Sequence, residues 1–117
     1  MRLTEITYGQ ALAIESYGPG FFRLGSHVLR GAVMVTPWDA GPWGGMSDSA
    51  TPLAMLDKID VLLVGTGKEI AHADPAFRKV LEDAAIGVEV MNSPAACRTY
   101  NVLLGEGRRI AACLLPV

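Results

Sequence analysis

The hydrophobic positions in the first third of the chain follow the short patterns of β-strands rather than the longer period of helices. Apolar and polar residues alternate loosely over residues 11–17, and short segments follow at residues 21–24 and 27–30. Gly and Pro residues between these segments favour tight turns, so we expect antiparallel strands. The apolar run at residues 32–36 is typical of a strand that is covered on both faces.

The rest of the chain alternates between predicted strands and helices. Residues 61–64 predict a central strand, because four consecutive apolar residues precede Gly65. Asp74 and Pro75 predict the cap and first turn of a helix that ends at Gly87. The apolar stripe of that helix has the spacing of one face lying on a core, and it comprises Phe77, Val80, Leu81, Ala84 and Ala85.

A further helix is predicted to begin at Asn92 or Ser93 and to end near Gly105. We expect five of its residues to face the sheet, namely Ala95, Ala96, Thr99, Val102 and Leu103. Strands are predicted on either side of this helix, at residues 86–91 and 109–115. A shorter helix is predicted at residues 52–58, with Ser49 or Thr51 as its cap.

These elements predict one α/β domain that spans residues 1–117. Two strand–helix–strand passages in the second half favour parallel strands, since such crossovers normally join parallel neighbours. Tight turns make the N-terminal strands antiparallel. The pattern therefore predicts a mixed β-sheet with packed helices and an N-terminal antiparallel β portion.

Composition excludes several classes of protein. Half of the residues are hydrophobic, which excludes an intrinsically disordered chain and leaves apolar surface for a partner. The net charge is −2, so we expect no nucleic-acid partner, because phosphate binding needs a basic surface. The apolar stretches between charges are too short to span a bilayer. The first residues lack the features of a targeting peptide, and we expect a cytoplasmic protein without direct membrane insertion.

Residues 37–52 contain three prolines and both tryptophans, and we expect a long loop there. Loops of this length in compact domains are often functional. We predict that Trp43 anchors the loop to the core and that Trp38 stays partly exposed for contact with a partner. The alternative interpretation is that both rings are buried anchors.

The motifs of common catalytic and cofactor sites are absent from the sequence. Gly65, Thr66, Gly67 and Lys68 follow a buried strand, but Leu62 and Glu69 break the phosphate-loop pattern and Ile70 breaks the dinucleotide pattern. His27 and His72 have no third metal ligand near them, and no nucleophile elbow is present. Cys97 and Cys113 lie in apolar stretches and are expected to be buried thiols. We expect no metal and no cofactor.

Polar residues cluster near the C-terminus, at Arg98, Tyr100, Asn101, Glu106 and Arg108. Arg98 and Asn101 are three residues apart, so they share one face of the predicted helix. Glu106 can pair with an arginine nearby. The cluster is interpreted either as a structural ion-pair network or as a polar recognition patch.

Several of these segments together resemble the Mth938-like family, long known as a domain of unknown function. The resemblance is carried by Gly65-Thr66-Gly67, by Gly87-Val88-Glu89-Val90-Met91, and by the run from Ala95 to Leu103 with Glu106-Gly107-Arg108-Arg109 behind it. Tyr17, Gly20, Phe21, Gly31 and Trp43 also fit the family pattern. Asn92-Ser93 departs from it, since an acidic residue and a threonine are common there. The resemblance implies a three-layer α/β fold on a mixed β-sheet.

The family includes a mitochondrial factor that helps to assemble respiratory complex I, and its members are not established enzymes. The resemblance therefore implies a non-enzymatic module that assembles or stabilises a protein complex, including a membrane-associated one. The alternative function is a small-ligand binder or enzyme with its site between the turn at residues 65–68 and the helix face at residues 98–101. The functional patch that we predict comprises Trp38, Gly65, Gly67, Arg98, Tyr100, Asn101, Glu106 and Arg108. Self-association is left open.

Overall fold

The computed structural model describes the backbone of Ile6–Thr7 and the whole of residues 12–117. The described strands are β1 (Ile6–Thr7), β2 (Ser16–Gly18), β3 (Phe21–Leu24), β4 (His27–Arg30), β5 (Val33–Val35), β6 (Asp39–Pro42), β7 (Val61–Thr66), β8 (Gly87–Met91) and β9 (Ile110–Leu115). The described α-helices are α1 (Ala50–Leu53), α2 (Pro75–Asp83) and α3 (Ser93–Gly105), and a 3₁₀ helix covers Gly45–Ser47.

Six of the strands form one mixed sheet in the order β1-β6-β5-β9-β7-β8. The pairs from β1 to β9 are antiparallel, and β7 runs parallel to both β9 and β8. The helices α2 and α3 make the crossovers that parallel neighbours require. Strand β7 is therefore central, as its uninterrupted apolar run predicts.

The remaining strands, β2, β3 and β4, form a separate antiparallel sheet. Phe22 and Leu24 of β3 are buried, while Arg23 between them is exposed. This alternation turns one face of the small sheet towards the core and the other towards solvent. The predicted bounds of β3 and β4 are confirmed.

Two hydrophobic cores lie on opposite faces of the large sheet. Leu63 belongs to the core that α3 and the small sheet cover, together with Phe22 and Tyr100. Leu62 and Val64 belong to the other core, with Phe77 of α2 and Trp43. Successive residues of a strand point to opposite faces, so β7 feeds both cores. The predicted three-layer α/β fold is confirmed.

The predicted starts of the two longer helices are also confirmed. Asp74 caps α2 by accepting a hydrogen bond from the Ala76 N–H at 3.1 Å, with Pro75 in the first turn. Asn92 rather than Ser93 caps α3, and its Oδ1 accepts from the Ala95 N–H at 2.8 Å. These side chains satisfy backbone donors that have no partner within the helix.

The predicted end of α2 was wrong by about one turn, whereas the predicted end of α3 near Gly105 is confirmed. Helix α2 ends at Asp83, and Ala85 takes the left-handed backbone conformation with φ 66°, so that Gly87 is free to begin β8. Gly105 is the last residue of α3, and Gly107 makes the reversal with φ 73°. The exposed fraction of Val102 is 60%, so the prediction that it faces the sheet was wrong. Cys97 and Tyr100 are buried on that side instead.

The prediction of one irregular loop at residues 37–52 was wrong as well. Strand β6 and two short helical segments lie within it. The segment forms a strand because the turn after β5 folds it back onto β5, and this pairing outweighs the low strand propensity of its Gly and Pro residues. Helix α1 begins before residue 52, since the Asp48 carboxylate accepts the Thr51 N–H at 3.0 Å, and Ser49 makes no side-chain cap.

The predicted strand at residues 11–17 is shorter in the structure. Only Ser16 and Tyr17 of that range lie in β2, and Ala11 is outside the described residues. Leu12 and Ile14 are nevertheless buried, with Ala13 exposed between them, so the alternating pattern marks the buried side. In the part of the chain that the structure describes, no helix is long and apolar enough to cross a membrane.

Candidate functional site

The turn that follows β7 is held by one buried serine. The Ser93 Oγ accepts the Gly67 N–H at 2.8 Å and donates to the Leu115 carbonyl at 2.6 Å. The Ser93 N–H in turn donates to the Gly67 carbonyl at 2.8 Å. This hydroxyl ties the ends of β7 and β9 to the start of α3.

The structure requires glycine at both glycine positions of that turn. A Cβ at Gly65 would lie 2.7 Å from the Ser93 Oγ and 2.9 Å from the Leu114 Cδ2. Gly67 has a φ of +98°, which side chains disfavour. The contacts of Gly65 and Gly67 therefore secure the junction of strand and helix, and their functional role stays a prediction.

Tyr100 and Asn101 hold the chain segment that precedes β2. The Asn101 side chain accepts the Ile14 N–H at 2.9 Å and donates from its Nδ2 to the Ile14 carbonyl at 2.8 Å. The Tyr100 hydroxyl donates to the Leu12 carbonyl at 3.1 Å, and burial raises the pKa of this hydroxyl. A side chain that makes both bonds to one backbone residue replaces a strand neighbour. These residues thus fasten two regions that are distant in sequence.

The charged members of the predicted patch do not join this arrangement. Arg98 is exposed and forms no hydrogen bond or ion pair with any residue that the structure describes. Glu106 approaches Arg108 at 4.0 Å, with both side chains more than half exposed. The arginine nearest Glu106 is therefore Arg108, and the described contacts contain no pair between Glu106 and Arg98, eight residues earlier in the chain. A functional role for the three charged residues stays a prediction.

The two tryptophans lie in different environments. Trp43 is buried, packs its ring against Phe77 with centroids 5.6 Å apart, and donates its indole N–H to the Asp48 carbonyl at 2.8 Å. Trp38 is 39% exposed, and the Lys58 ammonium lies 5.7 Å from its ring centroid. The expectation that Trp43 is the anchor and Trp38 is exposed agrees with these positions.

Trp38 lies at the tip of the hairpin that joins β5 to β6. The buried Thr36 fixes this tip, since its Oγ1 accepts the backbone N–H groups of Trp38 at 3.1 Å and of Asp39 at 3.0 Å. The Thr36 N–H donates to the Asp39 carbonyl at 2.8 Å. The exposed ring therefore stands on a tightly bonded turn.

An open cavity of about 480 Å³ lies between this hairpin and α1. Its lining comprises Met34, Asp39, Asp48, Ala50, Thr51, Ala54 and Met55. The volume is in the range of small ligand sites. We call this cavity together with Trp38 the Trp38 surface.

The Trp38 surface contains two carboxylates that differ in the hydrogen bonds they accept. Both oxygens of Asp48 accept hydrogen bonds, from the Thr51 hydroxyl at 2.6 Å, the Gly44 N–H at 2.9 Å and the Thr51 N–H. Burial alone would raise the pKa of Asp48, but these hydrogen bonds outweigh it and hold the pKa below its ordinary value of 3.8. Asp39 receives a bond from the Thr36 hydroxyl at Oδ1, at 3.0 Å, and Oδ2 accepts none from the described residues.

The other chemically notable groups are either buried or scattered. Burial raises the pKa of the Cys97 thiol to about 11, opposed weakly by Arg98, and it also raises the pKa of Cys113. Within residues 12–117 no cluster of three metal-ligating side chains occurs. A second cavity, of about 290 Å³, lies beside α2 and is lined by Ile70, Ala71, His72, Ala73, Arg78 and Val90. Neither cavity is lined by both the turn at residues 65–68 and the helix face at residues 98–101.

Comparison with known proteins places this chain in a family. A family model described as a protein of unknown function (DUF498/DUF598) matches residues 14–115. The chain belongs to this family. A solved structure from Bordetella pertussis, described as a Mth938-like domain, has a TM-score of 0.76 and 25% identity, and the match covers 99% of this chain and 92% of that chain. The resemblance to the Mth938-like family is thereby confirmed.

Two relatives of the DUF498 family differ in what their names say. An uncharacterised protein of Rhodobacter capsulatus is 43% identical, over 97% of this chain and 91% of that protein. A mouse protein named NADH dehydrogenase [ubiquinone] 1 alpha subcomplex assembly factor 3 is 32% identical over 97% of this chain. The chain spans 65% of the length of that mouse protein.

Sequence reasoning missed the cavity of this DUF498 member. Asp39 and Asp48 lie nine residues apart within a Gly- and Pro-rich segment, and nothing in their spacing indicates a shared pocket. Their common feature is that each lies beside a polar threonine, Thr36 or Thr51, which holds it by short-range hydrogen bonds. The acidic content of the segment is the one available signal.

Proposed function

We propose that this chain is a non-enzymatic binding module that helps to assemble a multi-subunit protein complex, and that it contacts a protein partner through the Trp38 surface. The observation that carries this proposal is a large aromatic ring, 39% exposed, on a rigid hairpin tip beside an open cavity. The Trp38 ring has no described aromatic neighbour, whereas the Trp43 ring packs against Phe77 in the core.

The physical case for a contact residue rests on cost and gain. Tryptophan is enriched among the interface residues whose truncation weakens binding most, by about 2 kcal/mol or more. The hydrogen bonds of Thr36 already fix the backbone beneath Trp38, so little backbone conformational entropy is lost on binding. Both effects favour this hairpin tip as a docking point.

The names of the relatives indicate which kind of complex the partner belongs to. The mouse relative is named as an assembly factor of NADH dehydrogenase, and similar names occur for the human and fruit-fly relatives. We therefore propose a membrane-associated respiratory complex as the target, met from the cytoplasmic side.

The contacts among residues 12–117 do not favour the alternative of a ligand site between residues 65–68 and residues 98–101. The Tyr100 hydroxyl and the Asn101 amide are engaged with Leu12 and Ile14. The Ser93 hydroxyl, which lies between the two segments, bonds to both Gly67 and Leu115. These polar groups are committed to backbone partners within the chain.

The proposal is tested by affinity capture of the tagged chain from its native host, with mass spectrometry of the captured proteins. We expect subunits of the respiratory NADH dehydrogenase among them, and we expect Trp38→Ala to reduce their capture about thirtyfold, the equivalent of 2 kcal/mol. The melting temperature should stay within a few degrees.

Val102→Ala is the matched control. Val102 is an exposed apolar residue on α3, which covers the opposite face of the large sheet. Capture should survive this substitution. Equal capture by Trp38→Ala and by the unaltered chain would show that the Trp38 surface is not the contact.

A further inference from the structure

The lining of the cavity contains two carboxylates, Asp39 and Asp48, and no basic side chain. Residues 37–60 hold four of the twelve acidic side chains and one of the ten basic side chains. Asp60 is paired with Arg109 at 3.2 Å, and Lys58 lies over Trp38. The negative charge that remains at the cavity is therefore that of Asp39 and Asp48. A partner that matches this surface is basic.

The neighbours of the two cavity carboxylates decide which one can receive a cation. Both oxygens of Asp48 already accept hydrogen bonds from Gly44 and Thr51, so it supplies a fixed negative charge. Asp39 has an oxygen, Oδ2, that accepts no hydrogen bond from the described residues. Asp39 is thus the acceptor that faces an incoming donor, and Asp48 strengthens its field.

The rest of the cavity is suited to the stem of a long side chain. Its walls include the apolar groups of Met34, Ala54 and Met55. Lysine and arginine bury their aliphatic stems along apolar surface while a polar partner receives the charged end. Trp38 precedes the lining residue Asp39 in the chain, and the Lys58 ammonium lies 5.7 Å from its ring centroid.

We infer that the cavity receives an arginine or lysine side chain of the partner protein, with its cation on Asp39 and its stem against Met55 and Ala54. This inference rests on the proposed function, because it names the chemistry of the partner at the same surface. Arginine suits the site better than lysine, since its planar guanidinium matches the geometry of a carboxylate.

The direct test uses Nα-acetyl-arginine amide as the probe and NMR spectra of the isotope-labelled chain as the readout. We expect the backbone amide signals of Thr36, Asp39, Thr51 and Ala54 to shift on titration. Nα-acetyl-citrulline amide has nearly the same shape without the charge, and it should bind at least about fivefold more weakly, because charged hydrogen bonds are the stronger ones.

Two variants with the same change of charge complete the test. Asp39→Asn should weaken arginine binding at least about fivefold while its Oδ1 still accepts from the Thr36 hydroxyl. Asp57→Asn removes an exposed carboxylate of the same segment that does not line the cavity, and binding should persist. Three results would each overturn the inference. They are equal binding of the citrulline probe, arginine binding that survives Asp39→Asn, and no arginine binding up to about 50 mM.

Partner capture separates this inference from the proposed function. Loss of capture with both Trp38→Ala and Asp39→Asn supports the two together. Loss with Trp38→Ala alone would overturn the basic side chain and leave the docking surface standing. Self-association in sedimentation velocity that disappears in Asp39→Asn would also overturn the inference, because a second copy, through Arg23 or Arg30 on the exposed face of the small sheet, would then be the occupant.

Discussion

The chain contains two Pro-Trp dipeptides, five residues apart, and their tryptophan rings differ in how far they are buried. Trp43 follows β6, packs on Phe77 and is 4% exposed, whereas Trp38 precedes β6 and is 39% exposed. The same local sequence thus gives an anchor on one side of a short strand and a surface ring on the other. The two rings differ in what packs against them. Phe77 of α2 packs on Trp43, whereas Trp38 lies at the tip of the β5–β6 hairpin, where no described aromatic ring covers it.

The comparison teaches how this chain divides stability from contact. Trp43, Asp48 and Thr51 bond to one another and pin the segment from the inside. Trp38 and Asp39 lie on the same segment and gain a fixed backbone from Thr36, with Trp38 39% exposed and Asp39 partly buried. A rigid base and an exposed tip are the features that a preorganised docking surface needs.

The largest expected effect is on the stability of the anchor. Trp43→Ala removes a buried ring and its hydrogen bond to Asp48, and we expect it to lower the free energy of unfolding by roughly 3–5 kcal/mol. Trp38→Ala should cost less than about 1 kcal/mol, because its ring is not enclosed. Urea denaturation of both variants measures the difference, and equal losses would break the comparison.

The same contrast between a pinned and an exposed side chain recurs on α3. Asn101→Ala removes both bonds to Ile14, and the free energy of unfolding should fall by roughly 1–3 kcal/mol. Arg98→Ala, on the exposed side, should change it by less than about 0.5 kcal/mol. A larger loss of unfolding free energy in Arg98→Ala than in Asn101→Ala, measured by thermal unfolding, would show that Arg98 contributes to the fold and would contradict this contrast.

A smaller effect concerns the acid stability of the anchor. The pKa of Asp48 is lower in the folded chain than its ordinary value of 3.8, so its ionised form favours folding. This contribution is complete above the unfolded pKa and is lost as the pH falls below 3.8 through the folded pKa. It should be about 1 kcal/mol or less, since solvent screens the carboxylate.

Comparing the unaltered chain with Asp48→Asn between pH 7 and pH 2.5, a window chosen around that pKa, measures the contribution. The gap in unfolding free energy should narrow at the acidic end. A gap that stays constant across this range would mean that the charge of Asp48 is not part of the anchor.

Much of the fold could be predicted from the sequence because the signals are local. The apolar run of β7, the Asp74 and Asn92 caps and the turns around β3 each depend on residues within a few positions. Strand β6 was missed because its pairing with β5, rather than its composition, makes it a strand.

The site was harder to predict, because its contacts join distant residues. The bonds of Asn101 to Ile14 span 87 positions, and no spacing in the sequence announces them. The cavity between the β5–β6 hairpin and α1 likewise depends on how two loops pack. Trp38 and Trp43 could be separated only through the likeness of Trp43 to a family position, and the structure supplies the physical reason.

Photo-crosslinking in the native host tests the central claim most directly. p-Benzoylphenylalanine is placed at the position of Trp38 or, as a control, at the position of Val102, and both positions are exposed. The account predicts a discrete adduct with one partner protein from position 38 and none from position 102. An adduct from position 102 with none from position 38 would contradict it.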